Sequence, residues 1–214
     1  GSLERILSPL ITIALSRLGA RAVGVDLSSK GIEAAEMLAK QTKSNASFIC
    51  SDVYNLEDHT DEKFDFIFTS YGTIGWLPDL DKWAKVINHF LKPEGILIFV
   101  EFHPVVWMFD DNFNDIKYAY FQREAIIESE EGTYADKDAP LAQKTITWNH
   151  GLGEVFDSLI SNGMAIEAFK EYDYSPYNCF NNTIEFSPGK FRIEQLGDKI
   201  PMVYSIKARK KGSN

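Results

Sequence analysis

The sequence predicts an α/β protein in which a mostly parallel sheet lies between two layers of helices. Two apolar runs each end in an acid, Asp26 and Asp52, with an amphipathic helical segment between them. A third apolar run, 63–70, has the character of a strand that is buried on both faces. A helix from Asp79 then leads into a further apolar run, 95–102, so strands and helices alternate as in parallel α/β sheets.

The first helix is predicted from Ile11, and Gly19 suits its C-terminal stop. Its packed face follows from apolar residues at helical spacing: Ile11, Ala14, Leu15 and Leu18. Residues 6–10, where a strand would precede this helix, join it directly and with no glycine at the junction. A strand cannot pass directly into an antiparallel helix without a connection of about two to six residues. Two interpretations stay open: a connecting segment near Leu10 and Ile11 is missing from this sequence, or the protein lacks it.

The two acids at strand ends are candidate ligand-binding residues. In an open parallel sheet, ligands bind beyond the carboxyl ends of the strands, where Asp26 and Asp52 are expected to emerge. A carboxylate only accepts hydrogen bonds, so Asp26 could accept from ribose hydroxyls and Asp52 from an adenine amino group. The alternative is that each acid caps the element that follows it or faces water. Their occurrence in consecutive strand–helix units favours a shared site.

The third apolar run opens into a loop, 70–78, that contains two glycines and two large aromatic residues. Its position at the carboxyl end of a strand favours a site that includes Ser70, Tyr71, Gly72 and Trp76. The alternative is a turn in which the two aromatic rings only cover the core.

The helix from Asp79 has one apolar stripe, and Pro93 and Gly95 stop it. The stripe consists of Leu80, Trp83, Ala84, Ile87, Phe90 and Leu91. The strand that follows ends at Glu101 and His103. Because histidine titrates near neutral pH, His103 is a candidate general base, and Glu101 could bind an amine or hydroxyl of an acceptor. The alternative for His103 is a structural hydrogen bond.

Beyond residue 104 the pattern loosens into aromatic and acidic residues. We predict a β-rich insertion or lid, 105–149, within a single domain, 1–214. Its strands would include 116–121 and 144–148. The aromatic side chains are too many for ordinary loop exposure, so they are expected to cover the site or to meet another subunit in a homodimer.

The C-terminal part predicts a last amphipathic helix, 153–162, and two final strands, 164–172 and 202–208. Between the strands lies a segment with three tyrosines, 172–180. Tyr177 is therefore a candidate substrate-binding residue for an apolar or cationic acceptor. The alternative is that these rings pack under the insertion.

Bulk properties restrict the partners. The net charge of -9 and the isoelectric point near 5.0 disfavour nucleic acid, which is bound through clustered Lys and Arg, and favour a small molecule. Cys50 and Cys179 lack metal-ligand spacing, so no metal site is predicted. No apolar run approaches the roughly 18 residues of a membrane span, so no membrane partner and a cytoplasmic location are expected.

Four segments in order resemble class I S-adenosylmethionine-dependent methyltransferases: Val-Gly-Val-Asp-Leu-Ser (23–28), Cys-Ser-Asp-Val (50–53), Phe-Asp-Phe-Ile-Phe-Thr-Ser (64–70) and Leu-Lys-Pro-Glu-Gly-Ile-Leu-Ile (91–98). The resemblance covers roughly residues 11 to 103. It implies a Rossmann-like, three-layer, seven-stranded sheet, mostly parallel with an antiparallel last strand. It also implies S-adenosyl-L-methionine as cofactor, S-adenosyl-L-homocysteine as product, and methyl transfer to a nucleophile.

The resemblance also implies roles for individual residues. Leu27 and Val53 would line the adenine, and Ser70, Tyr71 and Gly72 would lie beside the transferable methyl group. The acceptor would meet Trp76, Glu101, His103 and Tyr177. One feature of the family is missing, because no Gly-x-Gly-x-Gly turn, whose backbone amides approach the methionine part of the cofactor, precedes Ile11.

We therefore predict in-line methyl transfer from S-adenosyl-L-methionine to a small molecule. An oxidoreductase of the Rossmann type that uses NAD is one alternative, because Asp26 alone would also suit its ribose. A catalytically inactive binding or scaffold protein that kept the fold and lost the glycine turn is the other.

Overall fold

The computed structural model describes residues 3–121, 124–131 and 142–212. These residues fall into two compact units, one that ends at Glu62 and one that begins at Lys63. Residues 122–123 and 132–141 of the predicted insertion lie outside the described residues. The single domain with a lid stays a prediction.

The first unit has two helices and a two-stranded parallel sheet: α1 (Leu3–Arg17), β1 (Val23–Asp26), α2 (Ser29–Gln41) and β2 (Ser47–Cys50). The strands pair from Val23 opposite Ser47 to Asp26 opposite Cys50, so both end at the same edge. Helix α2 begins where Ser28 Oγ accepts the N–H of Gly31 at 3.1 Å. Its buried side chains have the spacing of one helix face: Ile32, Ala35 and Ala39.

The start of α1 corrects the prediction. The helix spans Leu3–Arg17 and so includes residues 6–10 as well as Ile11. The helix is continuous across Leu10 and Ile11, which is the position where a connecting turn was expected.

The packed face of α1 also differs from the prediction. Among the side chains of the helix from Leu10 onward, those of Thr12 and Ile13 are buried, whereas Leu18, which lies beyond the helix end at Arg17, is 85% exposed. Thr12 lies against β1 at Gly24, where an added Cβ would come within 3.0 Å of Thr12 Oγ1. The Phe48 ring of β2 is nearer still, with its Cδ1 2.8 Å from the added Cβ, so a side chain at this position would meet both neighbours.

Besides two short 3-10 turns, the described residues of the second unit form ten helices and strands: β3 (Phe64–Ser70), α3 (Leu80–Phe90), β4 (Leu91–Phe102), β5 (Ile126–Glu131), β6 (Ala142–Thr147), α4 (Leu152–Ser161), β7 (Met164–Tyr172), β8 (Thr183–Ser187), β9 (Lys190–Ile193) and β10 (Val203–Lys210). Four strands form a mixed sheet in the order β3-β4-β10-β7. Strands β3 and β4 are parallel, and β10 is antiparallel to both β4 and β7. The α/β class and the antiparallel last strand are confirmed. A seven-stranded, mostly parallel sheet is not, because the described strands form sheets of two and four strands and two hairpins.

Helix α3 follows the prediction closely. Asp79 Oδ1 accepts the N–H of Lys82 at 2.9 Å and so caps its first turn. The buried stripe differs from the predicted one at two positions, because Val86 is added and Leu91 already begins β4: Leu80, Trp83, Ala84, Val86, Ile87 and Phe90. At its C-terminus, Lys210 Nζ donates to the carbonyls of Asn88 at 2.6 Å and Leu91 at 2.8 Å. The last strand thereby satisfies carbonyl groups that a helix end leaves open.

Two antiparallel hairpins complete the second unit. The β5–β6 hairpin lies in the predicted insertion, but residues 116–121 form no strand and contribute only an isolated bridge between Phe109 and Ile116. The β8–β9 hairpin, between β7 and β10, was not predicted. None of the helices in the described part of the chain combines the length and apolar character that a membrane crossing requires.

Candidate functional site

Asp26 ends β1 in the first unit and is half-buried. Its Oδ1 accepts the N–H of Ser28 at 2.7 Å, directly before α2. No described residue donates to Oδ2. The capping interpretation therefore accounts for one carboxylate oxygen and leaves the other available to a ligand. The next side chain, Leu27, is 73% exposed.

Asp52 has the same arrangement on the neighbouring strand. The N–H of Ser51 donates to the carbonyl of Asp26 at 3.0 Å, so strand pairing continues to the residue before Asp52. Asp52 Oδ1 accepts the N–H of Tyr54 at 2.9 Å and caps a short 3-10 turn, while its Oδ2 has no donor within the described ranges. Val53 is half-buried. The structure thus brings the two predicted acids to one edge of the same parallel sheet.

Ser70, Tyr71 and Gly72 lie in the second unit, where β3 ends. The N–H of Tyr71 still pairs with the carbonyl of Val100 at 2.8 Å, and Gly72 then turns the chain with a φ of 76°. Thr73 Oγ1 donates to the carbonyl of Ser70 at 2.7 Å and closes the turn. Glycine suits this position because other residues rarely adopt positive φ.

Glu101, near the end of β4, holds this turn from the side. Its carboxylate is 2% exposed and accepts four backbone N–H groups. Oε1 accepts from Gly72 and, at 2.7 Å, from Phe102, and Oε2 accepts from Thr73 at 2.9 Å and Ile74 at 3.3 Å. Burial raises the pKa of Glu101 to about 7, and the four N–H groups oppose this rise. The carboxylate therefore binds backbone in this structure, not the amine or hydroxyl that the sequence predicts.

His103 is 3% exposed, and both of its ring nitrogens face protein. Nδ1 accepts the N–H of Val105 at 3.2 Å. Nε2 lies 3.0 Å from Glu171 Oε1, which is an ion-pair distance, although the angle is not that of a hydrogen bond. Burial lowers the pKa of His103, and Glu171 acts in the opposite direction. The predicted general base therefore has no ring nitrogen open to an acceptor here.

An aromatic cluster, defined here as Tyr71, Phe102, Trp107, Tyr177 and Phe180, surrounds the end of β4. Tyr177 is 5.6 Å from Tyr71 and 6.0 Å from Phe102 between ring centroids. Phe180 is 5.0 Å from Phe102 and 5.6 Å from Trp107. Burial, with smaller effects from neighbouring tyrosines, raises the pKa of Tyr71 to about 12, so its phenol stays protonated. Trp76, which is 50% exposed, makes no ring contact with this cluster.

Several buried polar residues of the second unit have no counterpart in the sequence predictions. Asn149 Nδ2 donates to the carbonyl of Pro104 at 3.1 Å, and His150 Nε2 is 2.8 Å from the carbonyl of Leu77. Tyr204 on β10 is fully buried opposite Glu101, and its hydroxyl has no partner among the described residues. The register of the neighbouring strands β10 and β4 places Tyr204 opposite Glu101, and no local sequence pattern predicts this pairing. The described residues contain no group of three His, Cys, Asp or Glu side chains placed to hold a metal.

Comparisons with known proteins address the sequence and the fold. Residues 8–99 match a family model described as a methyltransferase domain. The chain is 33% identical over 88 residues to the ubiquinone biosynthesis O-methyltransferase of Pelagibacter ubique (strain HTCC1062), a match that covers 41% of this chain. The matched part spans only 35% of the length of that relative.

Solved structures show the same fold. A Listeria monocytogenes protein described as an S-adenosylmethionine-dependent methyltransferase has a TM-score of 0.64 at 17% identity. A SAM-dependent methyltransferase from Methanosarcina mazei has a TM-score of 0.63 at 18% identity. Both similarities cover 94% of this chain and 86% of the other. The chain therefore contains a segment, 8–99, that matches a methyltransferase-domain family model, and its fold is similar to that of S-adenosylmethionine-dependent methyltransferases.

Proposed function

We propose that this chain transfers the methyl group of S-adenosyl-L-methionine to a small-molecule acceptor. The observation that carries the proposal is the pair of acids in the first unit. Asp26 and Asp52 follow neighbouring parallel strands, and each uses Oδ1 for a backbone N–H while its Oδ2 has no donor in the described part of the chain. Both acids lie within the matched residues, 8–99.

The chemistry of these residues fits an adenosine. Its hydroxyl and amino groups are hydrogen-bond donors, and a carboxylate oxygen is their matching acceptor. We assign the ribose hydroxyls to Asp26 and the adenine amino group to Asp52. Leu27 and Val53 directly follow these acids and offer apolar surface to the base.

When bound, the cofactor would supply an electrophilic methyl group: the lone pair of the acceptor forms the new bond to its carbon while the electron pair of the carbon–sulfur bond stays on the sulfur. Such an in-line displacement depends mainly on positioning and on removal of water from the nucleophile. The aromatic cluster and the turn at Ser70–Gly72 are the residues of the second unit that we assign to the acceptor and the methyl side. Because His103 has no open ring nitrogen, the proposal does not depend on a general base.

A small acceptor is favoured by charge and by composition. A net charge of -9 opposes binding to a phosphate backbone. The half-buried rings of Tyr71 and Tyr177 offer faces to an apolar or cationic molecule, at a few tenths to about 2 kcal/mol for each cation contact. A cytoplasmic location and a homodimer stay predictions of the sequence.

Titration calorimetry with S-adenosyl-L-homocysteine and with NAD tests the cofactor. We expect binding of the first only. Asp26→Asn and Asp52→Asn should each weaken it by about 1–3 kcal/mol, because a charge-assisted hydrogen bond is lost. Asp58→Asn is the matched control, because Asp58 ends the same 3-10 turn as an exposed side chain. Binding of NAD alone would refute the proposal, and equal affinity of Asp26→Asn would remove that residue from the site.

The acceptor class needs a separate experiment. The chain is incubated with methyl-labelled S-adenosyl-L-methionine and a cell extract that contains metabolites, RNA and protein. We expect the label in the small-molecule fraction, where mass spectrometry identifies the product. Label found only in RNA or protein would overturn the small-molecule assignment, and no transfer despite cofactor binding would favour the inactive binding protein.

A further inference from the structure

We propose that Glu101 is a positioning residue that fixes the backbone of the turn at Gly72–Ile74 for the methyl-transfer reaction. The proposal deepens the proposed function and rests on it, because that turn carries the residues assigned to the methyl side. Glu101 acts through the turn and does not need to touch cofactor or acceptor.

The first support is the number of amides that converge on one carboxylate. Three consecutive N–H groups, from Gly72, Thr73 and Ile74, point at Glu101, and Phe102 adds a fourth. Consecutive N–H groups that converge in this way form an anion-binding concavity. A carboxylate has about four acceptor positions, so Glu101 is saturated by backbone donors alone.

The second support is the origin of the donors. Three of them come from a turn 27 to 29 positions away in sequence, so they do not cap the strand to which Glu101 belongs. The turn itself has the positive φ of Gly72 and a side-chain closure from Thr73 to the carbonyl of Ser70. Glu101 therefore fixes the position of the turn that follows β3.

The third support is the burial of the carboxylate. Glu101 is 2% exposed, and removal of a charge from water is unfavourable unless protein donors compensate it. A neutral Gln could keep the shape but would bring two further donors against N–H groups that are already donors. Only an ionised carboxylate satisfies all four amides.

The ionisable groups around Glu101 come from each neighbouring element. Tyr204 of β10 lies opposite it in the sheet, and Tyr71 precedes the turn. His103 follows the end of β4, with its ring 5.9 Å from that of Tyr204, and Glu171 of β7 lies beside His103 and opposite Tyr204. Tyr204 and Tyr71 both have a raised pKa and stay neutral near pH 7. Glu101 is thus the group in this set whose charge the turn needs.

Hydrogen exchange of the free protein tests the contact without any ligand. The exchange of peptides that cover residues 70–76 is followed by mass spectrometry at pH 8 for the wild type and Glu101→Gln, with Glu167→Gln on β7 as the matched control. We expect Glu101→Gln to speed exchange at the Gly72–Ile74 amides by roughly tenfold or more, because hydrogen bonds to charged groups are the strong ones. Peptides of β10, and of β4 up to Val100, should keep their protection, since only the Phe102 amide of β4 donates to Glu101.

Unchanged exchange at 72–74 in Glu101→Gln would overturn the proposal, and so would equal loosening of the whole sheet. If Glu101→Gln does not fold, the wild type is measured at pH 6 and pH 8 after correction for the intrinsic exchange rate. Exchange at 72–74 should then be selectively faster at pH 6, and a uniform response would overturn the proposal.

The functional consequence is tested by kinetics. Glu101→Gln should lower kcat or raise KM for the cofactor under conditions where the variant stays folded, and Glu101→Asp should recover part of the loss because it keeps the charge. The acid limb of the pH profile near pH 7 should disappear in Glu101→Gln. If the wild type fails to bind S-adenosyl-L-homocysteine, the proposed function fails and the exchange result still stands. If it binds and the kinetics of Glu101→Gln match the wild type, only the positioning role fails.

Discussion

The stability of the second unit should fall as pH rises towards neutrality, because of Glu101. Burial raises the pKa of this carboxyl from 4.5 to about 7. Between these two values the folded state keeps the proton and the unfolded state releases it. The unfolded state then binds fewer protons, so the free energy of unfolding decreases with rising pH. At 1.36 kcal/mol for each pKa unit, the shift corresponds to about 3 kcal/mol.

Urea denaturation at several values between pH 5 and 8.5 measures this effect, in the wild type and in Glu101→Gln. Tryptophan fluorescence is a suitable probe because all four tryptophans lie in the second unit. Ionisable groups that both proteins share contribute equally to the two free energies of unfolding and cancel when one is subtracted from the other. As pH rises across this range, the free energy of unfolding of the variant should increase relative to that of the wild type by about 2–3 kcal/mol, since Gln has no proton to lose. The reasoning would be refuted if the difference in free energy of unfolding between the two proteins did not vary with pH, or varied only below pH 5.

Three further substitutions test other parts of the second unit, each by the free energy of unfolding in urea. Lys210→Met should cost about 1–3 kcal/mol because two carbonyls at the end of α3 lose a charged donor, whereas the exposed Lys211→Met should be nearly neutral. Gly72→Ala should cost roughly 1–2 kcal/mol because of its positive φ, and Gly153→Ala in α4, with open space around its Cβ, should be neutral or stabilising. Tyr204→Phe should cost less than about 1 kcal/mol, because the deleted hydroxyl has no partner among the described residues, and a loss above about 2 kcal/mol would reveal one.

Elements with strong local signals were predicted well. Helix α3 has a capping Asp79, one apolar stripe and a proline beyond its end, and the structure contains all three. Helix α1 was predicted poorly, because a continuous helix across Leu10 and Ile11 conflicts with an expectation taken from the resemblance. The β8–β9 hairpin had a usable signal that was overlooked, a Pro188-Gly189 turn between runs of alternating apolar residues.

Only part of the candidate site could be predicted, because some of its contacts form only in the tertiary structure and have no local sequence pattern. The strand-end positions of Asp26 and Asp52 follow from periodicity, because parallel strands end at one edge. The role of Glu101 does not, because its partners are backbone amides that only the tertiary fold brings to it. For the same reason the aromatic cluster joins Tyr71 and Tyr177, which lie more than 100 positions apart.

The three acids that end strands show how burial separates ligand binding from structural support. Asp26 and Asp52 are half-buried, and each gives one oxygen to one backbone amide. Glu101 is buried and gives both oxygens to four amides. For Glu101 to bind an acceptor directly, some of these hydrogen bonds would have to break, and each buried N–H left without a partner costs about 1–3 kcal/mol. This cost is the reason that we assign the acceptor to side chains with exposed surface, such as those of the aromatic cluster, and assign to Glu101 the support of the turn.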